Sequence, residues 1–209
     1  MHSLSVRDTL MFGWTTFSKR PWFFITLFVC LMIAYAFLSF VTDPAHQDHG
    51  PMAFALFVAS VVLGTVLEIM LVNIALKSHS NVEAVTFSDA YVRLPFWSYL
   101  GTKVLVALIV VLGLILVIVP GVIAGLALMF ATYLIVDKGR TPLEAIKESV
   151  RMTKGNRWKL FLFVLALAAL NIVGAVLFFV GLMVTVPVTY LAMVHAYRTL
   201  DRASEKASA

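Results

Sequence analysis

Few residues in this chain could do chemistry, and Glu68 is the sharpest candidate. It stands inside a long apolar run. About nine helical residues separate it from Lys77, which puts it roughly 13 Å below that basic end. An ionised carboxylate at such depth has to be protonated, paired or turned towards a polar cavity. Two roles fit: a proton-coupled or substrate-binding carboxylate, or a protonated glutamate that hydrogen-bonds another helix. Lys and Arg are expected to stay out of the depth of the spans, so an intramembrane ion pair is not expected. Asn73 and Asn171 are the other amides in the spans and share the candidacy for substrate or proton contact. Such groups commonly tie helices together at about 1 kcal/mol or less, and packing is the preferred reading for both.

The remaining polar clusters carry less. Asp43, His46, Asp48 and His49 crowd one loop, without the helical His-x-x-x-His spacing or a thiolate. A solvated acidic loop is expected there, and no metal. His195, a lone histidine, is given no role. Cys30 lies inside the first apolar run and reads as a small buried side chain. The sequence holds no Walker loop, HExxH, GxSxG or dinucleotide fingerprint. It also lacks a close pair of acids within a span to divide acid and base work. The expectation is a non-catalytic protein without a cofactor.

The elements that position these residues follow from composition. Apolar residues make up 61% of the chain and charged residues 13%, against about 45–50% and 25% in ordinary soluble domains. Runs such as 104–136 and 160–194 cannot be packed inside a soluble domain of 209 residues, so a polytopic membrane protein is expected. The first apolar run is longer than a signal-peptide core and no small-residue cleavage site follows it, so it is expected to stay in place. The formal charge of +5 comes without any nucleic-acid-binding module.

One pattern occurs three times. Ser5-Val-Arg-Asp8, Thr86-Phe-Ser-Asp89 and Thr141-Pro-Leu-Glu144 each place a hydroxyl cap three residues before an acid. Each opens a short amphipathic stretch that feeds a long apolar run. The third copy, TPLEAIKESVRMTKGNRW, is the fullest, with Pro142 at the first helical position and Gly155 as a stop. Leu143, Ile146 and Val150 form its expected apolar face, opposite Lys147, Glu148, Arg151 and Lys154. The middle copy is shortened by Pro95.

After each copy a hairpin of two spans is expected: 22–41 with 52–76, 103–119 with 121–136, and 158–179 with 181–197. The second pair, at roughly sixteen residues per arm, is marginal for a bilayer. All sixteen Lys and Arg residues lie at the N-terminus, in 77–103, in 138–159 or from 198 onward. The opposite turns, at 42–51, at Pro120-Gly121 and near Gly181, have none. The positive-inside rule therefore puts the interfacial helices and both termini on the cytoplasmic side of a cell (inner) membrane. It also argues against a single span kinked at Pro120. Trp14, Trp22, Trp97 and Trp158 fall at that interface as anchors. Gly113, Gly121 and Gly125 read as sites of close helix approach. Residues 198–209 read as a frayed polar tail.

The run LILVIVPGVIAGLALMFATYLIVDKGRTPLEAIKESVRMTKGNRWKL resembles a group of bacterial and archaeal membrane proteins known as domains of unknown function. That group includes the glycerophosphoryl diester phosphodiesterase membrane domain and the YciC-like inner-membrane proteins. The similar parts are the Pro120-Gly121 turn, the Val136-Asp137-Lys138 exit, the Thr141–Glu144 cap and the entry at residues 153–158. The resemblance implies an all-α, six-span integral membrane protein with interfacial helices, and supplies no catalytic residue.

Two functional classes survive. One is a non-catalytic membrane protein, accessory to a complex, with the surface helices as a dock for a protein partner or a second copy. The other is a small transporter or lipid-handling protein using Glu68. In either, Lys147, Arg151, Lys154, Arg157 and Lys159 are expected to meet anionic lipid headgroups or a partner. Between them the non-catalytic reading is preferred.

Overall fold

The computed structural model describes residues 4–41, 51–91, 93–176 and 181–206, and all their regular structure is helical. In chain order the helices are α1 (Val6–Lys19), α2 (Pro21–Val41), α3 (Pro51–Ser80), a 3-10 helix (Phe87–Tyr91), α4 (Phe96–Leu116), α5 (Ile118–Leu128), α6 (Ala131–Lys138), α7 (Pro142–Thr153), α8 (Arg157–Val176) and α9 (Leu182–Lys206). Five stretches are long and apolar enough to cross a membrane: Pro21–Phe40, Met52–Ser80, Phe96–Leu116, Ile118–Lys138 and Arg157–Val176. Together with the composition they make this a multi-pass membrane protein.

All three caps form. The Asp8 N–H donates to Ser5 Oγ at 3.3 Å, the Thr86 N–H to Asp89 Oδ2 at 2.8 Å, and the Thr141 N–H to Glu144 Oε2 at 3.0 Å. These bonds are local, so spacing alone dictates them. The first and third caps open α-helices, whereas the second opens only the 3-10 turn.

The second hairpin is longer than expected. Its first arm, α4, begins at Phe96, directly after Pro95. Each arm then offers 21 residues, or about 30 Å, the thickness of a hydrocarbon core. The chain reverses at the extended residue Val117 rather than at Pro120-Gly121. Pro120 instead occupies the first turn of α5, where a missing N–H costs nothing. A Cβ on Gly113 would come within 2.9 Å of Gly121 Cα, so these two glycines let the arms touch. Gly125 is different, because a Cβ there would meet nothing within 4 Å.

The apolar run after Gly121 is not one helix. It breaks between Leu128 and Ala131, where no proline or glycine stands. The cause is α7. Ser149 Oγ donates to the Ala127 carbonyl at 2.8 Å, and Thr153 Oγ1 approaches the same oxygen at 3.4 Å. Turning that carbonyl towards α7 competes with its bond inside the helix.

This contact also corrects the face assigned to α7. The buried residues are Ala145, Ser149, Met152 and Thr153, while Leu143 is exposed. Small side chains, hydroxyls that reach a backbone carbonyl, and Met152 seat α7 on the protein; of the expected stripe Ile146 packs against the core.

Helix α1 packs antiparallel along α9. Thr9, Gly13, Thr16 and Phe17 are buried, and a Cβ on Gly13 would lie 2.6 Å from the Val188 carbonyl oxygen and 3.2 Å from Ala192 Cβ. Helix α9 itself departs from expectation. The segment foreseen as the sixth span is its first part, but α9 contains Pro187 and runs on to Lys206. It is not among the five stretches above. The foreseen tail is therefore helical as far as Lys206, with Leu200 and Asp201 buried.

The deepest packing joins α6, α7, α8 and α9, where Phe130, Leu134, Ala145, Leu160, Phe163, Ala192, Val194 and Tyr197 are fully enclosed. By contrast α2, α4 and the first half of α3 expose much of their apolar surface. Cys30 is on this exposed side of α2, contrary to the buried placement expected of it. A helix that meets the bundle along one narrow face leaves the rest of its apolar surface for lipid.

Candidate functional site

Glu68 is paired. Lys103 Nζ lies 2.6 Å from its Oε1 and 2.7 Å from its Oε2, and the Tyr99 hydroxyl points at Oε2 from 3.4 Å. The lysine is within reach because α4 starts at Phe96, which carries Lys103 about 10 Å along its helix. The expectation that no base would stand deep in a span is thus overturned. Pro95-Phe96-Trp97 was the signal: a helix start after proline, with an exposed interfacial tryptophan, puts the following lysine two turns inside.

The pair is not sealed. The Glu68 side chain is 31% exposed and that of Lys103 48%. Tyr35 from α2 and Tyr190 from α9 stand within electrostatic reach of Glu68, and Tyr35 donates to the Gly64 carbonyl at 3.3 Å. Four helices therefore turn polar groups towards one place. Removing one charge should strand the other. Glu68→Gln and Lys103→Met are each expected to cost about 1–2 kcal/mol after discounting for exposure, and the double variant less than their sum. Thermal unfolding of the four proteins in one detergent checks this; additive costs would contradict the pairing.

Asn73 and Asn171 serve the backbone and a neighbouring helix. Asn73 Nδ2 donates to the carbonyls of Ala90 and Arg93 at 3.0 and 2.7 Å, fixing the turn before α4 onto α3. Asn171 Nδ2 donates to Leu167 O and to Thr189 Oγ1 of α9, both at 2.9 Å. Neither is brought to Glu68 by any of these bonds.

The densest polar group lies at the basic end of the bundle and was not anticipated. Lys138 Nζ reaches Asp201 Oδ1 at 2.7 Å, Glu205 Oε1 at 3.0 Å and Glu148 Oε1 at 3.3 Å. Arg140 Nε holds the other Glu148 oxygen at 3.0 Å. Beside it Arg198 grips Asp137 with two bonds, at 2.9 and 2.8 Å, and the Tyr197 hydroxyl adds a third at 2.7 Å. Burial pushes the Asp201 carboxyl up from its ordinary range, and Lys138 opposes that. The exposed Glu205 is held below its range by its bond to Lys138. Each acid here is in contact with a base, with Lys138 shared among three of them, which suits a clamp between α6, α7 and α9 better than proton transfer. The Asp137-Lys138 dipeptide was legible as an exit from the span, but all its side-chain partners except Glu148 sit sixty or more residues away.

Nearby, His79 Nε2 and His195 Nδ1 meet at 3.2 Å, and Phe12 of α1 packs on both rings. His195 therefore has a partner, contrary to the reading that left it alone.

The basic residues foreseen as docking groups divide in two. On α7, Lys147 is exposed and Arg151 approaches Glu148 only at 3.9 Å, while Lys154 just beyond its end is also exposed. At the start of α8, Arg157 and Lys159 are half-buried, and Arg157 Nε has no hydrogen-bond partner among the described residues. Trp14, Trp22, Trp97 and Trp158 are all well exposed. Asp43, His46, Asp48 and His49 lie outside the described residues. Among the described residues no group of three or more potential ligands is placed to hold a metal.

Residues 103–204 match a family model described as "Protein of unknown function (DUF975)". The match begins at Lys103 and takes in α7, the Lys138 clamp except Glu205, and almost all of α9. Similar curated proteins are likewise uncharacterized: Rv2560 of Mycobacterium tuberculosis and Mb2590 of Mycobacterium bovis, each 33% identical over 102 residues. Those residues are 49% of this chain and 31% of each relative, so the chain matches about a third of their length. No solved structure matches.

Proposed function

We propose that this chain is a non-catalytic membrane protein that presents a rigid, basic-rimmed platform to a protein partner, as an accessory to a membrane complex. The observation that carries this reading is the clamp at the basic end. Its four acids are tied up in contacts with Lys138, Arg140 and Arg198, while Lys147 and Lys154 stay exposed on the same stretch. The distribution of Lys and Arg favours placing this end in the cytoplasm and α9 as a sixth crossing, with both termini inside an inner membrane. The exposed tryptophans suit headgroup depth, and α1 and α7 suit interfacial helices. The matched segment is a minor part of longer mycobacterial proteins, which fits an accessory module. It also fits the resemblance to the glycerophosphoryl diester phosphodiesterase membrane domain and YciC-like proteins.

Affinity capture from native membranes, with wild type beside a Lys147→Gln, Arg151→Gln, Lys154→Gln variant, tests the proposal. A stoichiometric protein held by the wild type and lost from the variant supports it. Wild type captured without a protein partner, or a partner indifferent to the three charges, overturns it. A second reading, lipid handling or transport, is favoured by the half-open Glu68–Lys103 pair among tyrosines. Under it, Glu68→Gln removes the pH dependence of flux into liposomes.

A further inference from the structure

Helices α5, α6, α8 and α9 enclose a groove of about 680 Å³ that opens sideways from the bundle, within the range of about 300–1,000 Å³ common for small-molecule sites. Its walls are three helical stripes. Along α5 and α6 run Val122, Gly125, Leu126, Met129 and Tyr133; along α8, Phe161, Val164 and Ala168; along α9, Thr189, Tyr190 and Met193. The lining is almost wholly apolar. We infer that this groove binds one acyl chain of an anionic phospholipid from the leaflet at the basic end, with Arg157 at its mouth. The inference is independent of whether the platform has a protein partner.

Three observations support this occupant. The first is Gly125. A glycine inside a helix costs about 1 kcal/mol relative to alanine, and close packing explains Gly113 and Gly121 but not Gly125, whose Cβ position is open. What its missing side chain leaves is space in the groove. The second is length. From Arg157 to Ala168 the α8 wall rises about 16 Å, which matches one leaflet, about half of a 30 Å hydrocarbon core. A whole lipid tail fits along it, starting at the basic end.

The third is charge. Arg157, Phe161, Val164 and Ala168 follow the i, i+4, i+7, i+11 stripe, so Arg157 stands one turn above the groove on its own face. Its Nε is buried without a hydrogen-bond partner, a site that a phosphate oxygen would satisfy. Trp158, stacked on Phe161 at 5.4 Å, adds an aromatic flank beside the mouth. An apolar slot under a guanidinium with an unsatisfied Nε has the chemistry of a phospholipid and not that of a free anion.

The test is native mass spectrometry of the protein released from nanodiscs of equimolar phosphatidylglycerol and phosphatidylcholine. Wild type is expected to retain one phospholipid, enriched in phosphatidylglycerol. Gly125→Leu and Ala168→Phe fill the groove from opposite walls. Both positions are open, so both variants are expected to fold, as judged by an unchanged melting temperature, and to lose the one-lipid peak. Arg157→Gln is expected to keep a lipid while losing the preference for phosphatidylglycerol. Retention of the lipid by either folded, filled variant overturns the assignment. So does a wild type without bound lipid, or one that carries instead a second copy of the chain displaced by Gly125→Leu.

Discussion

Replacing Lys138 with methionine is expected to destabilise the protein by about 3–5 kcal/mol, the cost of removing one partner from a buried ionic group. The Lys138 side chain is 19% exposed, and its partners Asp201 and Glu148 are 6% and 10% exposed. Without the ammonium, Asp201 has no base in contact, whereas Glu148 keeps Arg140. Asp201 already sits above its ordinary range because burial, with the charges of Glu205 and Glu148 added, outweighs the help from Lys138. Losing that help raises it further.

A buried acid with a raised value costs stability while it is charged, and the cost is relieved as pH falls through its folded value. Lys138→Met should therefore recover stability on mild acidification. The wild type should not recover to the same extent, because its Glu205 is shifted the other way by Lys138 and loses stability as pH falls. Adding Asp201→Asn to Lys138→Met should restore part of the loss at neutral pH. Thermal unfolding in one detergent, across a pH series, checks all three statements. A Lys138→Met protein that melts with the wild type at every pH would show the clamp to be ornamental.

Gly13→Leu is the second large effect, expected at about 3 kcal/mol, the upper part of the range for overpacking. The obstacle is a backbone carbonyl, that of Val188, with Ala192 behind it. A flexible side chain could swing aside; a carbonyl on a packed helix cannot. The added side chain has to lift α1 from α9, so the loss should be local. Hydrogen exchange is expected to quicken across α1, at Thr9, Thr16 and Phe17, while α6 and α7 stay protected. Gly13→Ala should fall between. Unchanged exchange in α1 would mean that the helices touch less closely than the structure has them.

What the sequence made legible was local. Caps are written in three consecutive steps, and all three formed from Ser5, Thr86 and Thr141. A long apolar run needs no partner to declare itself, and five of the six expected spans are long and apolar enough to cross a membrane. The misreadings share one cause: they depend on groups far away in the chain. The break after Leu128 is invisible until Ser149 and Thr153 are known to face the Ala127 carbonyl. The charges after Arg198 look like a loose tail until Asp137 and Lys138 are placed beside them. Glu68 stood out by its place in an apolar run, but the second hairpin was expected to begin at Lys103, well beyond the α4 start at Phe96. That error hid the lysine it pairs with. Phe12 and His79 gave His195 a setting that no spacing could announce.

The contact between α1 and α9 also bears on how the molecule is made. Helix α1 is translated before α9, the helix that covers Thr9, Gly13 and Phe17, and eight other helical segments of the described residues come between them. Until α9 is made, Thr9 and Gly13 lack that helix, while Phe17 has an early neighbour in Phe24 of α2. Contacts of such long sequence separation form late and slowly. The hairpin of α4 and α5, joined through Val117 alone, can close as soon as both arms exist. Assembly should run from the middle of the chain outward, with the docking of α1 as the closing step.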